Sequence, residues 1–356
     1  MSSFTFETRA SRVIFGAGCL GQLPSEVDWL EARRAMLVST PGRSALLTSA
    51  RALLGDVAVE SFDRAVVHVS EHVAREATEA AIRSQADAIV ALGGGSAIGV
   101  AKAVALATSL PIIAVPTTYG GSEMTPIWGL TRTGQKETGR TPHVQPRVVI
   151  YDPDVTLALP ARTTACSGLN AMAHCIEALY ASDANQITTA VAVEGIRLLS
   201  AALPLLAAVP QDRQQRAIAL RGAWLAGFAL GTVQMALHHK LCHTLGGSFD
   251  LPHADTHAVL LPYTAAYNRA AARGAMRKGA IALGVEDAPT ELLSLAQTIG
   301  APLSLAEIGM REQNLDRAAN MAVEQPYPNP APVTRDAVRV LLDAAFRGDS
   351  TYVTTI

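Results

Sequence analysis

Charge is what this chain has least of. Asp, Glu, Lys and Arg together make up 17% of its 356 residues and sum to a net charge of −2. No lysine or arginine run stands out, so nucleic acid and anionic membrane surfaces have no electrostatic footprint here. No uncharged apolar stretch reaches the ~18 residues that a bilayer crossing needs. Aromatics are sparse at 5%. The four cysteines, Cys19, Cys166, Cys175 and Cys242, form no CxxC pair, which favours a reducing compartment. The opening MSSFTFETRASRVIF lacks the basic-then-apolar layout of a secretory signal, so a cytoplasmic location is expected. Repeats and low-complexity tracts are also missing.

What is there is apolar. Hydrophobic residues make up 49% of the chain, enough for well-packed cores, and the length suits two domains. In the first part, short β-branched runs alternate with helical patterns. RAMLVST (34–40), GDVAVESF (55–62), DAIVAL (87–92), PIIAVPTT (111–118) and RVVIYD (147–152) read as strands. Helical periodicity lies between several of them. This alternation implies a parallel sheet covered on both faces. From about residue 157 the pattern turns helical, over 161–182, 187–208, 211–235, 254–269, 272–283, 289–299, 313–323 and 334–346, broken by the proline-rich EQPYPNPAPVT. The expected architecture is an α/β dinucleotide-binding domain over 1–157 followed by an all-α substrate and catalytic domain over 158–356.

Two loops mark a ligand site in the first domain. Gly93-Gly94-Gly95-Ser96 lies between a buried strand and a helix. Such a turn lets backbone N–H groups and a helix N-terminus face an anion. Thr117, Thr118, Tyr119 and Ser122 follow the next strand, at the strand end where open α/β sheets bind ligands. Together the two loops suggest a dinucleotide. The strand ending at Ser39-Thr40 carries no acid to hold ribose hydroxyls, so NADH and NADPH both stay open.

Histidine is the concentrated residue. His238, His239, His243, His253 and His257 are five of the nine in the chain. Imidazole is both a common metal ligand and the side chain that exchanges protons near neutral pH. His239 and His243 have the spacing of one helix face, and a Leu-Gly-Gly break separates them from His253. Asn170 and His174 repeat the i, i+4 spacing, with Glu177 a turn further on as a helix-face partner for a histidine. His238 would face away from His239 towards the surface, and His257 could line the pocket. Cys242 reads as a buried thiol, and His68, His72 and His143 as structural. Lys240, Lys136 and Arg140 are candidate carboxylate or cofactor contacts.

The motifs GGGSxxxxAK, PTTxxGSE, NxxxH and HxxxH…PH, in this order, resemble the iron-containing alcohol dehydrogenase family. The resemblance implies a dehydroquinate synthase-like architecture, an NAD(P) cofactor and an active site between the domains. It also implies a divalent metal held at positions 170, 174, 239 and 253, with His243 beside the nicotinamide. Two departures stand out. The family's aspartate ligand is Asn170 here, a poorer donor to Fe²⁺ or Zn²⁺ than carboxylate. The family's acid in the loop after GGGS is Gly99.

Both departures match one branch of the family, the maleylacetate reductases, as do SGxNAxAHxxEALYA and PYPNPxPV. That likeness implies reduction of the carbon–carbon double bond of the dicarboxylate maleylacetate by NADH or NADPH, in aromatic-compound breakdown, by a homodimer with no metal. Asn170, His174, His239 and His253 are then expected to be a vestigial metal site. Catalysis would fall to His243 and His253, with His239, His174 and Asn170. Gly93, Gly94, Gly95, Ser96, Thr117, Thr118, Ser122, Ser39 and Lys136 would hold the cofactor, and Tyr119, Lys240 and His257 the substrate. A metal-dependent alcohol dehydrogenase and a non-catalytic nucleotide sensor are the competing readings.

Overall fold

The computed structural model describes Phe6 and residues 11–66, 69–132 and 135–355, without the side chains of 135 and 136. His68 and the side chain of Lys136 lie outside the described part. Clustering of contacts divides the chain into two compact units, Phe6–Leu159 and Pro160–Ile356.

The first unit follows the order β1 (Arg12–Phe15), α1 (Leu23–Trp29), β2 (Ala35–Ser39), α2 (Ser44–Leu54), β3 (Ala58–Phe62), α3 (Glu71–Arg83), β4 (Ala88–Gly93), α4 (Gly95–Thr108), β5 (Ile112–Pro116), the strands β6 (Ile127–Arg132) and β7 (Gln135–Arg140), and β8 (Val148–Tyr151). Six strands pair in the order β1-β8-β5-β4-β2-β3, all parallel, while β6 and β7 pair antiparallel by themselves. Every residue of β2, β4, β5 and β8 is buried. Parallel strands covered on both faces therefore read as continuous apolar runs. From β2 the chain moves outward to β3, whereas from β4 it moves the other way to β5. The carboxyl ends of β2 and β4 thus flank a reversal of strand order, the usual ligand position in such sheets.

The second unit holds α5 (Ala161–Tyr180), α6 (Gln186–Ala208), α7 (Arg213–Thr232), α8 (Leu237–Phe249), α9 (His253–Asn268), α10 (Arg273–Leu283), α11 (Ala288–Thr298), α12 (Leu315–Val323), α13 (Arg335–Arg347) and α14 (Ser350–Thr355). Side-chain caps start several of them: Asn185 in a capping box on α6, Asp212 on α7, Asp287 on α11 and Thr334 on α13. Each satisfies N–H groups that the helix leaves open, worth about 1 kcal/mol. The central α5 is buried from Thr164 to Tyr180 and packs against α6, α7 and α9. Close approach of α6 to α5 depends on Gly195, where a Cβ would meet Cys175 Sγ at 2.7 Å. By length and composition α6 could cross a membrane, but it carries Glu194 and Arg197 and packs on α5 and α7.

Three features differ from the pattern read in the sequence. β1 and the β6–β7 pair are additional; β1 is four residues long, and β7 is the polar run QKETGR, so neither carries a strong hydrophobic signal. α1 and α2 are additional too. The Leu245-Gly246-Gly247 segment is no break: α8 continues through it and ends where Asp250 takes a left-handed φ of 57°. Each glycine costs a helix interior about 1 kcal/mol, and packing of α8 against α9 and α12 outweighs that.

Candidate active site

The sheet end of the first unit assembles one group of predicted residues. Ser39 ends β2 and pairs in register with Leu92, while Gly93 ends β4 beside Pro116. The turn into α4 is tight in two ways. Gly93 has a φ of +156°, and a Cβ there would meet that of Ala97 at 2.9 Å; a Cβ on Gly94 would meet Thr118 Oγ1 at 2.7 Å. Gly94 is the N-cap of α4 with no side-chain cap, so the first N–H groups of that helix are open to an anion. Thr117 donates its N–H to Gly93 O at 3.2 Å, which ties the second loop to the glycine turn. Its Oγ1 is buried without a partner. Ser96, Thr118 and Ser122 are half-buried, whereas Tyr119 and Ser39 are fully buried. At Gly99 a Cβ would meet Val69 Cγ2 at 2.9 Å, so any side chain there would require Val69 to shift.

The second unit gathers six imidazoles from three helices. α5 supplies Asn170, His174 and Glu177; α8 supplies His238, His239 and His243; α9 supplies His253 and His257. Glu177 is 1% exposed and organises one side. Its Oε1 accepts the N–H groups of Ala236 and His238 at 3.2 and 3.0 Å, capping α8, and its Oε2 accepts Nδ1–H of His239. A carboxylate suits the positive end of a helix. With Nδ1 protonated, His239 Nε2 is an acceptor, and His174 Nδ1 donates to it at 2.9 Å.

A second chain runs through His238. Thr264 Oγ1 donates to Leu260 O at 3.0 Å, so it accepts from His238 Nδ1 at 2.9 Å. His238 Nε2 then accepts from His257 Nδ1 at 2.9 Å, with Cys242 Sγ 3.6 Å away. This bonding assigns the tautomers and leaves His257 Nε2 as a buried lone pair with no partner. His238 is therefore no surface residue; it is fully buried. Burial, reinforced by the neighbouring imidazoles, lowers the pKa of His238 and His257 well below the ordinary 6.5. His257 sits at the centre, its ring 4.5 Å from that of His253 and 5.0 Å from that of His239. Only His243 and His253 of the six are half-buried, and their rings stack at 6.2 Å. Lys240 is half-buried on the same helix, with no ion pair among the described residues.

A divalent metal can be tested against these donors. Asn170 is 4% exposed, and its Oδ1 is a buried acceptor that no donor reaches. An orphaned oxygen one helical turn from His174, with His239 bonded to that ring, fits a cation. His238, Cys242 and His257 also lie close enough together to hold a metal; both His238 nitrogens are already bonded, to Thr264 and His257, while His257 Nε2 stays open.

Sequence reasoning gave no role to Lys102 and Glu123, which close the GGGSxxxxAK and PTTxxGSE motifs, nor to Tyr151; all three are buried at 1% exposure or less. Lys102 Nζ shares its three N–H groups among four oxygens, Ser122 O, Thr125 O, Thr125 Oγ1 and Ile127 O, at 2.6 to 2.9 Å. Burial lowers its pKa to about 7, against the pull of Glu123. Tyr151 OH donates to Glu123 Oε1 at 2.8 Å. The available signal was a lone lysine inside AKAVALA, a helix segment apolar all round.

Comparison with known proteins bears on both units. Residues 10–153 match iron-containing alcohol dehydrogenase and residues 164–346 the C-terminal part of the Fe-containing alcohol dehydrogenase family. The chain is 53% identical to a maleylacetate reductase of Burkholderia cepacia, over 98% of this chain and 99% of that one. It is also similar to the crystal structure of maleylacetate reductase from Rhizobium sp. strain MTP-10005, with TM-score 0.93 and 47% identity over 98% and 99% of the two chains. The structure of a protein described as an alcohol dehydrogenase from Ralstonia eutropha JMP134 superposes with TM-score 0.97 at 50% identity, over 98% and 99%. These matches correct one expectation. A site needing no metal conflicts with a family match that is iron-containing in both parts of the chain, and the orphaned Asn170 Oδ1 agrees with the correction.

Proposed function

The chain belongs to the iron-containing alcohol dehydrogenase family, and from that premise we propose that it reduces the carbon–carbon double bond of maleylacetate with NADH or NADPH, giving 3-oxoadipate. The observation that carries this reading is the identity of 45–53% to maleylacetate reductases over nearly the whole chain. The glycine turn, the open start of α4 and the loop carrying Thr117, Thr118 and Ser122 bind the dinucleotide in the first unit. Substrate chemistry belongs to the imidazoles of the second.

Maleylacetate has an alkene conjugated to a ketone and a carboxylate at each end. Hydride from the reduced nicotinamide adds to the alkene carbon next to the carboxylate. The alkene electrons move through the conjugation onto the ketone oxygen, and the carbon beside the ketone then takes a proton. The protein must stabilise the oxyanion and deliver that proton. His243, an accessible ring outside the metal-holding set, is the group placed to donate, with His253 stacked beside it. His239 and His174 are held by the Glu177 chain and do not drift from their tautomers. Lys240, lacking a carboxylate of its own, suits one end of a dianion. Asn170, His174, His239 and His253 would hold the family's metal, which supplies Lewis-acid polarisation of the ketone oxygen when bound.

The four cysteines are free and buried, in keeping with a cytoplasmic enzyme, and a homodimer is the proposed assembly. Loss of reduced-nicotinamide absorbance on addition of maleylacetate tests the activity. No turnover with maleylacetate, together with oxidation of simple alcohols, would replace this reading by that of an alcohol dehydrogenase.

A further inference from the structure

The polar cluster that the proposed chemistry leaves unused is the one around Lys102. A lysine with four oxygen acceptors at 2.6 to 2.9 Å, three of them backbone carbonyls, is bonded the way a carbonyl cage binds a small cation. A neutral amine has two N–H groups and would aim its lone pair at a carbonyl oxygen, so this geometry calls for the ammonium form. Glu123, also buried and bonded by Tyr151, favours that charged form electrostatically.

The location gives the cluster its meaning. Lys102 lies on α4, the helix whose open N-terminus is the glycine turn. All four of its acceptors lie in 122–127, the continuation of the Thr117–Ser122 loop. That loop is also tied to the turn directly, by Thr117 N–H to Gly93 O at 3.2 Å and by the packing of Thr118 on Gly94. One side chain therefore fastens the two walls of the dinucleotide pocket to each other from beneath.

We propose that Lys102 is a positioning residue for the coenzyme: its buried ammonium sets the spacing between the glycine turn and the Thr117–Ser122 loop, and so controls dinucleotide affinity without touching the ligand. This rests on the reading that the sheet end binds NADH or NADPH. Lys102→Met keeps the volume and removes the charge, leaving its acceptors unsatisfied. Thr125→Val removes one of the four acceptors, with the two bonds that Thr125 Oγ1 makes to Ser122 O and Ile127 N–H, and is the milder variant.

The experiment measures NADH affinity by fluorescence, kcat at saturating NADH, and Tm for wild type, Lys102→Met and Thr125→Val. NADH affinity should fall about tenfold or more in Lys102→Met and several-fold in Thr125→Val, with kcat at saturation changed less than twofold. In Lys102→Ala, added methylammonium should restore affinity in proportion to its concentration. If the folded Lys102→Met binds NADH as wild type does, Lys102 is a packing residue and the proposal fails. Should Lys102→Met not fold, unchanged affinity in Thr125→Val overturns the proposal in its place. Absence of NADH and NADPH binding to the wild-type protein would instead overturn the dinucleotide reading beneath it.

Discussion

The two units bury polar groups in opposite ways. Around Lys102 an ammonium group is surrounded by acceptors, and Glu123 and Tyr151 are bonded to each other nearby. Around His257 uncharged rings are bonded edge to edge, and two acceptors, Asn170 Oδ1 and His257 Nε2, are left without donors. A saturated cluster has one low-energy arrangement and rigidifies what it touches. An unsaturated one is costly to build, because each unmade buried bond costs about 1–3 kcal/mol. Such a cost is kept where the open valence is used, for a metal, a substrate atom or a proton. On the proposed function, the first cluster is scaffold and the second is where the chemistry would take place.

That contrast breaks most visibly at His243. His243→Ala should lower kcat by about 10²–10⁴, the range for loss of a general acid or oxyanion partner, while NADH affinity stays within a few-fold. A fall in NADH affinity with kcat preserved would make His243 a cofactor contact. Glu177→Gln sharpens the contrast from within the imidazole cluster. It removes the acceptor that fixes His239's tautomer and leaves the N–H groups of Ala236 and His238 with a weaker cap. Activity should drop by about 10–100-fold, as for other partners that orient a ligand histidine. Retained activity with only a lower Tm would reduce Glu177 to a helix cap. Asn170→Asp restores an anionic donor at the orphaned position. Affinity for Fe²⁺ or Zn²⁺, read by elemental analysis after dialysis against chelator, should rise about tenfold. Equal metal content in both proteins would show that position 170 does not face the ion.

The same contrast explains what could be read from the sequence. Buried parallel strands announce themselves as unbroken apolar runs, so β2, β4, β5 and β8, together with the helices of the second unit other than α8 and α14, follow from pattern alone. β7 does not, because QKETGR carries no apolar periodicity. His239, His243, His174 and Asn170 are visible through helical spacing and family motifs. His238 was misplaced for a physical reason: i, i+1 neighbours point apart on a helix, which suggests solvent unless another helix covers the far side. Here α9 does so, presenting Thr264 and His257. The role of Lys102 is set by carbonyl groups twenty to twenty-five residues away, and backbone acceptors leave no trace in residue identity.

The smallest expected effect tests whether the imidazole cluster is neutral. His238 and His257 have native pKa values pushed well below 6.5 by burial and by neighbouring rings, whereas in the unfolded chain they titrate near the ordinary value. Below that value the unfolded state binds more protons than the native one. Their contribution to stability is therefore fully present above it and declines as the pH falls. Two such groups should remove about 1 kcal/mol of unfolding free energy between about pH 7 and pH 6, a range above most carboxylate titrations. Urea unfolding at the two pH values measures this directly. Replacing one ring, as in His257→Gln, should roughly halve the loss. An equal or steeper loss in the variant would mean that the buried rings already carry protons, and that the two units bury charge in the same way after all.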